Sequence, residues 1–391
     1  MRILFLSNWY PYPPDNGSKL RIFNLLRGLS EQHLVSLITF TEHDNQPTPR
    51  ALSELCQEVR QVPTRFYNAN SLRALLGLLS PKPRVLVDRH VQEMEDLVRQ
   101  AIQTGSFDLA IASQWYMAAY LEKNHSVPAI FEEVEVGVFR DKVNRSKEPI
   151  QRWRHRMTTL KMQSYFRNLV PRFGACTVAS SNEQRIVRKM VPGYEPVEII
   201  PNGVMVSDYD GFRMQPEEGT LVFSGSFRYE PNYQAMYWFM DAVYPLIAQK
   251  VPDLKVTITG QHDNRPLPHD EHVWRTGFVR DVRPYVAEAW GSLAPLQVGG
   301  GTRLKILEAM ALGTPVVATS KGAEGLDAVP GEHLLLADKP EEFAEAVIRL
   351  MQDESLRCHL ADNAYRLVRE MYDWPVIMPR FLNLAERVAN T

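Results

Sequence analysis

The segment from Val298 to Val317, Val-Gly-Gly-Gly-Thr-Arg-Leu-Lys-Ile-Leu-Glu-Ala-Met-Ala-Leu-Gly-Thr-Pro-Val-Val, constrains this chain more than any other. Gly299, Gly300 and Gly301 open an amphipathic run that stops at Gly313, and Pro315 precedes an apolar strand. A glycine loop at a helix start suits phosphate: free backbone N–H groups point out of the helix, its dipole end is positive, and glycine allows close approach. Lys305 and Glu308 are three apart and share a helix face. A cation one turn in can meet a diphosphate, and a carboxylate further along can accept ribose hydroxyls. Phosphate, cation and ribose acceptor in one short segment point to a sugar nucleotide.

At 391 residues, two domains are expected rather than one core. Apolar content of 45% and charged content of 23% are ordinary for a globular protein. A net charge of −2 argues against a dedicated nucleic-acid binder. Cys56, Cys176 and Cys358 are far apart and odd in number, which suits a reducing compartment and gives neither a disulfide framework nor a zinc pattern. The apolar run at the N-terminus is too short for a signal peptide, and no run reaches the roughly 18 residues of a spanning helix. The expected location is cytoplasmic, with room for peripheral contact at the inner face of a membrane.

Arg2–Ser7 reads as a buried strand, Asp15-Asn-Gly-Ser18 as a turn into a helix at Lys19–Ser30, and Leu34–Thr39 as the next strand. That order opens a doubly wound α/β domain. Later strands are expected at Phe107–Ala112, Pro128–Phe131 and Ala175–Ala179, with a basic helical region over 140–172. Turn chemistry at Asn202-Gly203 places a linker around 195–215. A second α/β pattern follows: strands at Leu221–Ser226, Lys255–Thr259, Leu293–Pro295 and Val316–Thr319, with helices from Pro231 and over Glu341–Asp353 and Glu354–Glu370. The division expected is 1–195, 196–372 and a final helical segment, 373–391. In such sheets ligands sit at the carboxyl ends of strands, which would bring Gly17 and the triple glycine to face one another across a cleft.

On these residues the chain resembles the retaining family 4 glycosyltransferases of the GT-B fold. The resemblance covers nearly the whole chain. It rests on Asp15-Asn-Gly-Ser18 with Arg21, Ser180-Ser-Asn-Glu183, Pro201-Asn-Gly-Val204, Phe223-Ser-Gly-Ser226, Pro231-Asn232 and, above all, Gly299–Val317. It implies two Rossmann-like domains, the second holding the donor and the first the acceptor, with a C-terminal helix crossing back. It is similar to members that act in bacterial polysaccharide assembly. The chain departs from the pattern in four places. Gly300 stands where the first of two glutamates is common, Glu308 being the second. Arg228 is near, but not at, the position of a diphosphate-neutralising pair, which Arg303 and Lys305 can replace. Met205 stands where an acidic residue often follows Asn-Gly-Val. Finally, Phe131-Glu-Glu-Val-Glu135 lacks a nearby histidine.

The expected donor site comprises Gly17, Gly225, Arg228, Val279, Gly300, Gly301, Thr302, Leu304 and Glu308, with Arg303 and Lys305 stabilising the leaving diphosphate. Glu132 is the expected catalytic carboxylate, and Lys19, Arg21 and Glu135 the expected acceptor contacts. The resemblance implies that the leaving phosphate takes the proton, so that no dedicated base is required. Asp208-Tyr-Asp210 has the form of a metal-binding Asp-x-Asp but lies in the presumed linker, and the histidines at 262, 269 and 272 match no zinc spacing, so no metal or other cofactor is expected. Residues 140–172 carry ten Lys/Arg against Asp141 and Glu148, a charge that suits an anionic bilayer or simply a solvated helix face. The expected activity is transfer of a sugar from a nucleoside diphosphate to a hydroxyl of a glycan or lipid-linked glycan, with retention. A sugar-nucleotide epimerase and a non-catalytic sugar-nucleotide or glycan-binding subunit are the alternatives.

Overall fold

The computed structural model describes residues 1–42, 47–123, 126–137, 148–212, 214–299 and 303–391. Two compact units divide the chain: Met1–Pro201 with Met378–Thr391, and Asn202–Ile377.

The first unit is built on β1 (Arg2–Ser7), β2 (Leu34–Thr41), β3 (Glu58–Pro63), β4 (Leu109–Ser113), β5 (Ala129–Glu132), β6 (Ala175–Val178) and β7 (Val197–Ile199). Their order is β3-β2-β1-β4-β5-β6-β7, and every pairing is parallel. Strands covered on both faces read as continuous apolar runs, as in β1 and β4. The order reverses between β1 and β4, so the crevice for a ligand lies beyond their carboxyl ends.

Helix α1 (Gly17–Ser30) follows β1, and the Asn16 side chain caps it by accepting from the Lys19 N–H. Two further helices shape this unit's surface, α2 (Leu72–Leu76) and α3 (Pro149–Leu169). Of the basic region expected over 140–172, α3 holds the part from Pro149; residues 140–147 lie outside the described residues. Helix α4 (Ser181–Met190) starts at a Ser180 cap, and its Glu183 accepts from the N–H groups of Val136 and Gly137.

The second unit holds β8 (Glu217–Ser224), β9 (Lys255–Thr259), β10 (Val273–Gly277), β11 (Ala289–Ala294), β12 (Val316–Ala318) and β13 (Leu335–Leu336). The order is β10-β9-β8-β11-β12-β13, again parallel throughout. Its reversal falls between β8 and β11. Helix α5 (Glu230–Trp238) follows β8, and α6 (Leu304–Ala311) follows β11.

The last helix, α7 (Trp374–Ala389), carries a buried stripe of Ile377, Phe381, Leu384 and Val388 at helical spacing. From Met378 onward it belongs to the first unit. Met378 fills the space beside Gly28, Val388 that beside Gly174, and Arg387 pairs with Glu198 on β7. A side chain at Gly28 or Gly174 would crowd Met378 or Val388 of this helix.

The strands at β3, β7, β10 and β13 went unread in the sequence. All four are sheet edges, where one face or edge stays polar and the apolar run is short. In β3 the sequence is Glu-Val-Arg-Gln-Val-Pro. Strand β7 lies within the segment read as linker; its pairing to β6 keeps the chain in the first unit through Pro201.

Candidate functional site

The site in the second unit forms where its strand order reverses. Strand β8 ends at Ser224 and runs into Gly225, while the loop after β11 reaches Gly299 before α6 begins. Gly260, just after β9, has φ +110, and a Cβ there would stand 2.7 Å from the Gly225 carbonyl. Only glycine lets these two loops touch backbone to backbone.

Gly225 keeps a second space open. A Cβ on it would stand 2.7 Å from Asn232 Nδ2 and 3.1 Å from Lys305 Nζ. Lys305 reaches back from the first turn of α6, and its ammonium donates to Asn232 Oδ1 at 3.0 Å. It also sits 4.0 Å from the centre of the Phe223 ring, a cation–π contact. Asn232 in turn donates to the Ser226 carbonyl at 3.0 Å, which holds its amide in register. Burial pushes Lys305 down to about 7; nearby Arg303 adds to this and Glu308 opposes it. An ammonium so poorly solvated gains most from an anion placed beside it.

Glu308 lies one turn further along α6, where Tyr209 donates to its Oε1 at 3.3 Å. Burial raises its pKa against the opposing pull of Tyr209, Lys305 and Arg283. Tyr209 was passed over in the sequence because it sits between Asp208 and Asp210 in the presumed linker. Asn232 stands in the sequence as part of a helix start and of the resemblance, with no role in the donor site. Neither position has a local signal that names its partner.

The structure assigns other work to several expected donor residues. Arg303 is buried, donating to the backbone carbonyls of Glu324 and Gly299 at 3.3 and 3.4 Å and pairing with the Glu324 carboxylate. Its described contacts anchor the glycine loop. Arg228 is exposed and paired with Asp263 at 2.9 Å. Leu304 opens α6 half-buried, and Val279 is half-buried in the loop after β10. Gly300, Gly301 and Thr302 lie outside the described residues.

In the first unit, Gly17 begins α1, and Lys19 pairs with Asp15 at 2.9 Å. Both Lys19 and Glu135 line a cavity of about 1540 Å³. Two expectations need correction here. Arg21, expected at the acceptor, has a fully buried side chain bonded to Glu132 Oε1 at 2.5 Å and to the carbonyls of Ile200 and Pro201. Glu132, expected as a catalytic carboxylate, is equally buried, and its other oxygen accepts from Ser113 at 2.7 Å. Fully buried and with each oxygen bonded inside the core, it does not face solvent, where a hydroxyl would arrive. Among the described residues, no three His, Cys, Asp or Glu side chains group as metal ligands. No described helix is long and apolar enough to cross a membrane.

Comparison with known proteins agrees with this architecture. Residues 218–353 match the family model described as glycosyl transferases group 1. The chain is 24% identical over 390 residues, 95% of its length and 96% of the relative's, to an uncharacterized 44.6 kDa protein in the cps region of Klebsiella pneumoniae. It is 30% identical over 212 residues, 51% of its length and 55% of the relative's, to phosphatidyl-myo-inositol mannosyltransferase of Mycobacterium leprae. Its fold matches HepE from Anabaena, solved in complex with UDP and glucose, with a TM-score of 0.68 at 15% identity, over 99% of this chain and 100% of that one. The fold is therefore GT-B, two parallel α/β sheets of seven and six strands. Residues 218–353 carry a glycosyl transferases group 1 domain.

Proposed function

We propose that the protein moves a sugar from a nucleoside diphosphate to a hydroxyl of a glycan or lipid-linked glycan, with retention of configuration. The reading is carried by one arrangement: Lys305, held by Asn232 and Phe223 over the bare backbone of Gly225, with Glu308 one turn further along the same helix. The diphosphate lies against Lys305 and residues 299–302, the ribose hydroxyls bond to Glu308, and the base sits by Val279. As the glycosidic bond breaks, negative charge gathers on the departing diphosphate, and Lys305 is the cation poised for it. In a retaining transfer the hydroxyl arrives on the face the phosphate leaves. The phosphate takes its proton, so the burial of Glu132 removes nothing the reaction needs. Lys19 and Glu135 contact the acceptor, and Lys305 supplies charge that a metal would otherwise bring; chelation with EDTA should leave the rate unchanged.

Calorimetric titration with UDP, GDP, ADP and CMP tests the donor site and identifies the base. One diphosphate should bind, and Glu308→Ala should weaken it by roughly 1.5–3 kcal/mol through lost hydrogen bonds to a charged acceptor. If no nucleotide binds, or the variant binds as well as the parent, the donor assignment fails.

The same titration should depend on pH. Lys305 is held at about 7 without ligand, and a bound diphosphate raises it. Above pH 7, binding must therefore take up a proton, and affinity should fall as pH rises, by up to about tenfold per unit. Titrations in two buffers of different ionisation heat measure that proton directly. Zero uptake at pH 8 would show that Lys305 does not meet the phosphates.

A further inference from the structure

The cavity that holds Lys19 and Glu135 is lined by three chemically distinct sets of side chains, all within the first unit. Trp9, Tyr10 and Tyr12 are aromatic, of the kind on which sugar rings stack. Arg84, Arg89, Arg154 and Lys161 are cationic, and Arg89 lies over the Tyr116 ring. Leu78, Met157, Leu160 and Trp153 are apolar.

The apolar wall continues onto an outer surface. Trp153, Met157 and Leu160 share one face of α3, and Trp153 is 63% exposed. Beside them α2 and its following turn present Leu72, Leu75, Leu76, Leu78 and Leu79 to solvent, with Leu72 at 73% and Leu79 at 89%. So many leucines facing outward in one stretch is a binding feature rather than ordinary surface. The segment is pinned in this pose from below. Lys161 donates to the carbonyls of Gly77 and Leu78 at 2.9 and 3.1 Å, and Arg84 donates to those of Ala69 and Ala74 at 2.6 and 3.2 Å. These contacts leave both cations with further N–H groups to donate. Burial, and then the charge of Arg84, hold Lys161 below the ordinary lysine value.

We propose that this cavity takes a lipid-linked saccharide: sugar on the aromatic wall, phosphate or diphosphate at Arg84, Arg154 and Lys161, and the apolar chain along Met157, Leu160 and Leu78 toward the exposed leucines. The inference rests on the transferase reading and narrows its acceptor. An uncharged glycan would use neither the arginines nor the leucines. A free phosphate would leave the apolar wall bare. The three kinds of lining side chain match the three kinds of group in such a molecule.

Farnesyl diphosphate is a suitable probe, read by tryptophan fluorescence in a Lys305→Ala background so that the donor site does not compete. It should bind at least about tenfold more tightly than either farnesol or inorganic diphosphate, because only it engages both walls. Met157→Asp and Arg154→Glu, both exposed positions, should each weaken it about fivefold or more. In the parent protein the same two changes should leave nucleoside diphosphate binding unaltered. Equal affinity for farnesyl diphosphate and inorganic diphosphate, or indifference to both substitutions, overturns the inference. So does adsorption to phosphatidylglycerol vesicles without farnesyl diphosphate binding, which would make the surface a bilayer contact alone. If nucleotides bind but the lipid does not, the acceptor inference falls and the transferase reading stands. If the lipid binds and no nucleotide does, the transferase reading falls instead.

Discussion

Lys305→Met should lower kcat/KM for the sugar donor by roughly 10²–10³-fold, the range seen when one preorganised group facing developing charge is removed. The size follows from where the lysine sits. It stands half-buried, between the Asn232 amide and the Phe223 ring, so little water is there to replace it. A cation in such a place acts more strongly on a leaving diphosphate than the same cation in solvent. Methionine keeps the stem and the packing against Phe223, which separates lost charge from lost structure. Arginine should rescue poorly, because its planar fork does not fit the space that Gly225 leaves at 3.1 Å from Nζ. Asn232→Ala should cost less than Lys305→Met, since it frees the ammonium without removing it. The measurement is initial-rate transfer with the nucleotide identified by calorimetry. A loss below about threefold in Lys305→Met would show that the charge is stabilised elsewhere, with residues 300–302 the first place to look.

The parts of this protein that could be read from its sequence are those where physics acts locally. The glycine loop, the α6 periodicity and the Gly313 stop lie within twenty residues of one another, and Lys305 and Glu308 share a face by helix geometry alone. The buried parallel strands β1 and β4 announce themselves as unbroken apolar runs. What escaped depends on distant pairings. Tyr209 meets Glu308 across 99 positions, Asn232 meets Lys305 across 73, and Arg21 meets Glu132 across 111. Arg21 and Arg303 illustrate the failure most clearly. A lone arginine near a glycine turn looks exposed and available, and nothing nearby says that a carboxylate will bury it. The leucine-rich surface at Leu72–Leu79 was missed for a related reason: its run is short, and only the fold shows that Lys161 and Arg84 turn it outward.

The Arg21–Glu132 pair should prove the most sensitive stability element of the first unit. Its side chains are fully buried, their shortest contact is 2.5 Å, and around them Ser113 and the carbonyls of Ile200 and Pro201 take up further hydrogen bonds. The pair ties α1 to β4, β5 and the chain just past β7, at the carboxyl end of the sheet. Breaking it leaves one charge in the core without its partner, so Glu132→Ala or Arg21→Met should each cost about 3–5 kcal/mol in urea unfolding. The cost comes chiefly from the stranded charge rather than from the lost attraction. Removing both charges together should therefore cost much less than the two single changes summed, and Arg21→Met with Glu132→Gln should recover a large part of either loss. Activity separates this role from a catalytic one. At a temperature where the double variant stays folded, transfer should persist, because no step of the proposed reaction passes through either side chain. Full stability with transfer abolished would return Glu132 to the chemistry, and simple additivity of the two single changes would show that the pair does not act as a unit.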